Sequence, residues 1–155
     1  MNPIRITMQD HIFRDSLGQS WMPDQFGAGG RTIEHVGDIE GAKDSRLFAV
    51  ERYGNFNYAI PVADGSYNLA VYMAEAYFGP ENPGGGGPGT RVFDIYCNGL
   101  VLAREFDILS RVGANRMFVF QSYGLRPNAQ GKLNLSFLPV VNYPSIFAIE
   151  VTSNP

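Results

Sequence analysis

Few side chains in this sequence could do chemistry. Its two histidines, His11 and His35, lie in separate segments, and its one cysteine, Cys97, has no partner for an internal disulfide. A zinc site needs more nitrogen or sulfur ligands at workable spacing, so neither histidine reads as a metal ligand. Structural calcium, held by scattered Asp and carbonyl oxygens, needs no linear motif and stays open. A serine triad would have to recruit one of these histidines, and no GxSxG occurs. Gly84, Gly86 and Gly89 match GxGxxG formally. Inside a glycine run that pattern arises from composition alone, and Pro88 with the strand expected from Arg91 offers no helix N-terminus to a phosphate. Carboxylates are the stronger candidates, because a glycosidase needs only two of them placed in space. Asp94 and Asp107 fall on and just after an expected strand, while Glu51 and Glu75 sit in apolar stretches. Glu75, in the run MAEAYF, needs a partner because an isolated charge among apolar strand residues is costly. Arg52 or Arg91 can supply one. Glu75 thus reads as a structural carboxylate, and catalysis is not expected.

Stacking is the other chemistry within reach. Tyr53 lies in ERYGNFNYAIPV, and Tyr77 and Phe78 end MAEAYF just before a glycine-rich stretch. Neighbours in an extended strand point to opposite faces, so at least one of the adjacent rings leaves the core unless the chain bends there. Flat amphipathic rings at strand ends match the C–H faces of sugars, and nearby amides or carboxylates can fix the hydroxyls. Core aromatics are common in β-sandwiches, so the residues alone leave a packing role open.

The elements that must position these groups read as strands. At 155 residues the chain fits a single domain. Hydrophobic residues make up 45%, enough for a core without disulfides, and 18 glycines with 10 prolines imply many turns. Ile4 and Ile6 suit a first strand. Phe56, Tyr58 and Ile60 form a one-sided row, as do Leu69, Val71 and Met73; Phe93, Ile95 and Cys97; and Leu133, Leu135 and Phe137, while Phe147, Ile149 and Val151 close the chain as a last strand. Met117 to Gln121 adds a strand, Asp64-Gly65 a turn, and Asn98-Gly99 a hairpin. The only helical turn expected lies near Ile108 to Val112. Asp15 to Asp44 reads as a long loop anchored by Trp21 and Phe26, and Gly79 to Thr90 as an exposed loop. The pattern predicts an all-β, antiparallel β-sandwich of jelly-roll type, galactose-binding-like, with short helical turns. Asn134-Leu135-Ser136 matches a glycosylation sequon but falls inside a predicted strand. The net charge of −3 and the absence of a basic stripe argue against nucleic acid. The opening MNPIRITMQDHIF lacks a long apolar run, so neither a signal peptide nor membrane insertion is expected.

The runs DSLGQSWMPDQFGAGG, ERYGNFNYAIPV, MAEAYF, RVFDIYCNGLVLAREFDI and KLNLSFLPVVNYPSIFAIEV together resemble the malectin and malectin-like carbohydrate-binding family. They occur in the family's order across nearly the whole chain. The resemblance implies one malectin-like domain over 1–155, of the kind that occurs within longer exported proteins. It also implies non-catalytic binding of a glucose-containing di- or oligosaccharide, without a cofactor. By motif match the sugar contacts would be Tyr53, Tyr77 and Phe78, with Asn142 where the family carries an acidic residue and Tyr143 beside it. Where the family has an aromatic on the preceding loop, this chain has Gly29, Gly30 and Arg31. The partners implied are an oligosaccharide or polysaccharide and a fused glycoside hydrolase or other exported domain, outside the cell or in the periplasm. The alternative is a protein-interaction or assembly module that kept the fold without sugar binding.

Overall fold

Alternating burial along the strands organises the molecule, a computed structural model that describes residues 2–155. One sheet has four antiparallel strands in the order β1 (Ile4–Thr7), β12 (Ala148–Ser153), β6 (Tyr67–Met73) and β9 (Phe118–Leu125). Within it Ile4 lies opposite Val151, and Ser153 opposite Tyr67. The facing sheet is built on the long β5 (Val50–Pro61), followed by β10 (Lys132–Val141), β7 (Val92–Cys97) and β8 (Leu100–Phe106). A short ribbon joins β2 (Phe13–Arg14) to β3 (Ser20–Trp21).

The predicted rows meet between the sheets. Phe56, Tyr58 and Ile60 from β5, Leu133, Leu135 and Phe137 from β10, and Phe93, Ile95 and Cys97 from β7 pack against Leu69, Val71 and Met73 from β6. All twelve are buried, at about 1.5–3 kcal/mol for each large apolar side chain. Asn98 (φ 49°) and Gly99 (φ 81°) both adopt left-handed backbone between β7 and β8, the geometry a two-residue hairpin with right-handed strand twist demands. The helical turn α1 (Ile108–Val112) is capped by Asp107, whose side chain accepts from the Ser110 amide. The fold is therefore a mainly antiparallel β-sandwich with minor helical turns, as the sequence predicts.

Three expectations need correction. Asp15 to Asp44 is not one loop. It contains β3 and an eight-residue edge strand, β4 (Gly27–Glu34), paired antiparallel with β5. The sequence GAGGRTIE hides β4 because all eight residues are exposed and it is held to the sheet by its backbone. A bulge at Gly29 and Gly30 bends it, and a Cβ at Gly30 would stand 2.7 Å from the Tyr53 carbonyl oxygen, an approach only glycine permits. Trp21 is buried and does anchor this segment, but Phe26 is 41% exposed and holds a left-handed φ of 69°. The closing strand begins at Ala148, so Phe147 lies just outside it. Phe147 joins a second cluster, 5.0 Å ring to ring from Phe48.

Between β10 and β11 (Ser145–Ile146) the chain leaves the sheet. β10 pairs with Phe56–Pro61 and β11 with Arg52 and Tyr53 on the same edge of β5, so Asn142–Pro144 loops outward between them. The Gly54 amide donates to the Pro144 carbonyl at 3.1 Å and ties that loop down.

Candidate functional site

Glu51 and Tyr53 are two apart in β5 and so project from the same face. In register, Ile33 of β4 stands opposite Glu51, and Ser145 of β11 opposite Tyr53. This end of the sheet forms one wall of a cavity.

The other wall depends on a bend after β6. Glu75 is buried, and its Oε2 accepts from the backbone amides of both Tyr77 and Phe78 at 3.1 Å each. The carboxylate thereby folds the chain around itself, and the two rings meet edge to face with centroids 4.9 Å apart. Alternation to opposite faces, expected of an extended chain, does not apply here. The remaining Glu75 oxygen, Oε1, takes the Arg91 Nε at 2.6 Å. Arg91 also donates to the Tyr143 carbonyl at 2.5 Å, and its guanidinium lies 5.0 Å from the Phe78 ring centre. One buried ion pair thus fixes both the bend and the Asn142–Pro144 loop. Of the two partners considered for Glu75, Arg91 is the one used. Arg52 is bonded to Asp24 and Tyr58 instead.

Tyr53, Tyr77, Phe78, Asn142 and Tyr143 all line the resulting cavity, of about 320 Å³, together with Ile33, Glu51 and Arg91. Tyr77 and Tyr143 are half-exposed, at 50% and 52%. Asn142 holds a left-handed φ of 54° and donates its amide to the Thr90 carbonyl at 2.6 Å, leaving Oδ1 as its free acceptor. Arg31 stands opposite Tyr53 on β4 but does not line the cavity, and Ile33 supplies the wall there. The stretch from Gly79 to Thr90 connects β6 to β7 and also backs the rings. Gly84 donates to the Tyr77 carbonyl at 2.7 Å, and a Cβ there would lie 2.6 Å from the Tyr77 ring.

Sequence reasoning did not assign Glu51 to the site. Its carboxyl is buried in the cavity wall, accepts from the Ser145 hydroxyl, and burial pushes its pKa above the ordinary carboxylate value. The signal available was a charge two residues before Tyr53 with the same strand parity. A raised folded-state pKa means that Glu51 favours folding below the ordinary value near 4.5. That contribution disappears as pH rises through the folded pKa. Glu51→Gln, which keeps the neutral shape, is expected to melt higher than wild type at pH 8, with the difference vanishing below pH 4; thermal unfolding across this range measures it. A difference constant with pH would mean that Glu51 does not titrate in this way.

The other chemical candidates have structural duties. Asp94 accepts from the Glu105 amide at 2.8 Å, and Asp107 from the Gly89 amide at 2.6 Å. With Glu75 closed by Arg91, three of the four carboxylates considered, Glu75, Asp94 and Asp107, hold structure, and Glu51 alone lines the cavity. His11 pairs with Asp10, and His35 lies edge-on to Phe147. Burial pushes the Cys97 thiol up to about 11, which suits a core hydrophobe. Asn134 lies within β10, its backbone N–H donating to Asn98 Oδ1 at 3.0 Å. Among the described residues, no three His, Cys, Asp or Glu side chains gather as a metal-binding group, and no helix is long and apolar enough to cross a membrane.

Known proteins share both sequence and fold with this chain. The Malectin domain profile matches residues 3–149. Malectin from Mus musculus is 36% identical over 74 residues, 46% of this chain and 23% of its own length. Malectin from Homo sapiens is 35% identical over 74 residues, with the same shares. The match thus spans 23% of the length of these curated relatives. Among solved structures, Bacteroides uniformis beta-glucuronidase superposes with a TM-score of 0.81 at 16% identity, covering 99% of this chain and 18% of that one. The ANX2 ectodomain from Arabidopsis thaliana gives 0.80 at 19% identity, covering 99% and 42%. A complex of the plant peptide RALF23 with FER and LLG2 gives 0.77 at 16% identity, covering 96% and 47%. At these identities the structural likeness is one of fold, and it is the profile match over nearly the whole chain that decides the assignment: the chain belongs to the malectin family.

Proposed function

We propose that this domain is a recognition module that holds a glucose-containing di- or oligosaccharide in the cavity between Tyr53 and the Tyr77–Phe78 pair. The observation that carries this reading is the convergence of three aromatic segments on one open cavity whose wall also holds a carboxyl, Glu51, and an amide, Asn142. Rings supply stacking faces for pyranose C–H groups, and Glu51 and Asn142 Oδ1 supply hydrogen bonds to hydroxyls. Tyr143 adds a half-exposed ring at the mouth. Affinity in the micromolar to millimolar range, roughly, is expected of so shallow a site. The likeness to 18% of a beta-glucuronidase chain supports a role as one module of a longer protein.

A second reading is protein recognition on the same fold. The solved-structure likenesses back it better than they back sugar binding, because plant receptor ectodomains superpose about as well as the glucuronidase and one of them is in complex with a peptide. The exposed Ile33 and Val36, at 54% and 92%, also suit a protein partner. A glycan array followed by titration of its best hits separates the two. Saccharide hits that compete for one site support the first reading. An array without hits, alongside a concentration-dependent oligomer in light scattering, supports the second.

Gly84→Ala bears on the ring platform. Gly84 is not in the left-handed region, so the added Cβ costs little in backbone strain but displaces Tyr77 and Phe78. The variant is expected to weaken binding of the best array hit several-fold, with circular dichroism unchanged. Unaltered affinity would show that the position of these rings is immaterial.

A further inference from the structure

The aromatic cavity is not closed on the side of Tyr77. A second cavity of about 510 Å³ adjoins it, and Ile33, Glu51 and Tyr77 line both. Beyond Tyr77 the lining is more polar than around the rings, adding Asp38, Asn82 and Asn115 beside Val36, Ala76 and Pro83. Two of these groups are built rather than incidental. Asn82 donates its amide to the carbonyls of Glu75 (3.2 Å) and Phe78 (2.7 Å), which consumes both hydrogens and fixes Oδ1 as its acceptor. That Oδ1 takes the Asn115 side-chain amide at 2.9 Å, so the orientation of Asn115 is set by the network. The Asn115 backbone is held as well, its N–H on the Glu75 carbonyl and its carbonyl on the Glu40 amide, at 2.8 Å each. What remains free on Asn115 is one N–H and Oδ1, a donor and an acceptor side by side. That pairing matches two vicinal hydroxyls, each of which can donate and accept.

We infer that the second cavity is a further saccharide subsite. The domain would then bind a chain of three or more sugar units that crosses Tyr77, with Asn115 and Asp38 holding hydroxyls of the distal units. This rests on the saccharide reading of the first cavity. A cavity of about 320 Å³ sits at the bottom of the range typical for small-ligand pockets, roughly 300–1,000 Å³, and its continuation enlarges the space a chain can fill. Tyr77, shared by both cavities, is the ring that the chain must pass.

The test is calorimetric titration with glucose oligomers of two to six units, in α-1,4 and β-1,4 linkage, against wild type, Asn115→Gly and Asp38→Ala. Glycine suits Asn115 because the backbone there has a φ of 56°. In wild type, affinity is expected to rise about tenfold between two and four units and then level off. In Asn115→Gly that rise is expected to vanish while affinity for the two-unit sugar stays unchanged, which also reports an intact fold. Asp38→Ala, at an exposed residue, is expected to reduce the rise in part. Binding that does not depend on length in wild type overturns the second subsite and leaves the first standing. Failure of every oligomer to bind overturns the extension together with the reading beneath it.

Discussion

Arg91→Met is expected to cost about 3–5 kcal/mol of folding stability, the toll of removing one partner from a buried ion pair. The Arg91 and Glu75 side chains are only 5% and 1% exposed, so the abandoned carboxylate would be left with backbone amides alone. The Tyr143 carbonyl and the face of Phe78 would lose their cation in the same step. Chemical denaturation gives the number, and the double variant Arg91→Met with Glu75→Gln should recover part of it because neither position of the pair then carries a charge. A loss below about 1 kcal/mol for Arg91→Met alone would place the pair in a wetter, weaker setting than its geometry implies.

Tyr77→Ala is expected to behave in the opposite way. Its ring is half-exposed and rests against Gly84, so its removal should leave the melting temperature nearly unchanged. Binding of the best array hit should fall by about 2 kcal/mol, roughly thirty-fold, as is usual for a central aromatic contact. A sharp drop in melting temperature with affinity spared would assign the ring to packing and remove the basis for stacking. The contrast between these variants, one structural and one at the ligand, separates the frame of the site from its contact surface.

The core was legible in the sequence because strand alternation and side-chain burial have the same period of two. The rows on β5, β6, β7 and β10 could be read directly, as could the Asn98-Gly99 hairpin and the turn at Ile108–Val112. β4 could not, because an exposed edge strand is held by its backbone and GAGGRTIE carries no apolar rhythm. Within the cavity, the aromatic residues stood out as a shared platform, whereas Glu51 stood out only as a carboxylate in an apolar stretch. A buried carboxyl in a strand reads as an anomaly to be paired, and only the register across β4 and β11 shows that it faces open space. The bend at Glu75 was hidden for a similar reason. It depends on a side chain accepting from amides two and three residues ahead, locked by an arginine sixteen residues away.

The pairing of β1 with β12 and of β12 with β6 has a consequence for attachment. Ile4 and Ser153 both lie toward the Tyr67 end of β6, whereas the cavity forms beyond Met73 at the other end, roughly 20 Å away along seven residues of strand. A neighbour joined at either terminus would hang from the far pole of the domain and leave the mouth unobstructed. Such a layout lets the unit be grafted between larger bodies, as a fitting with its socket facing outward.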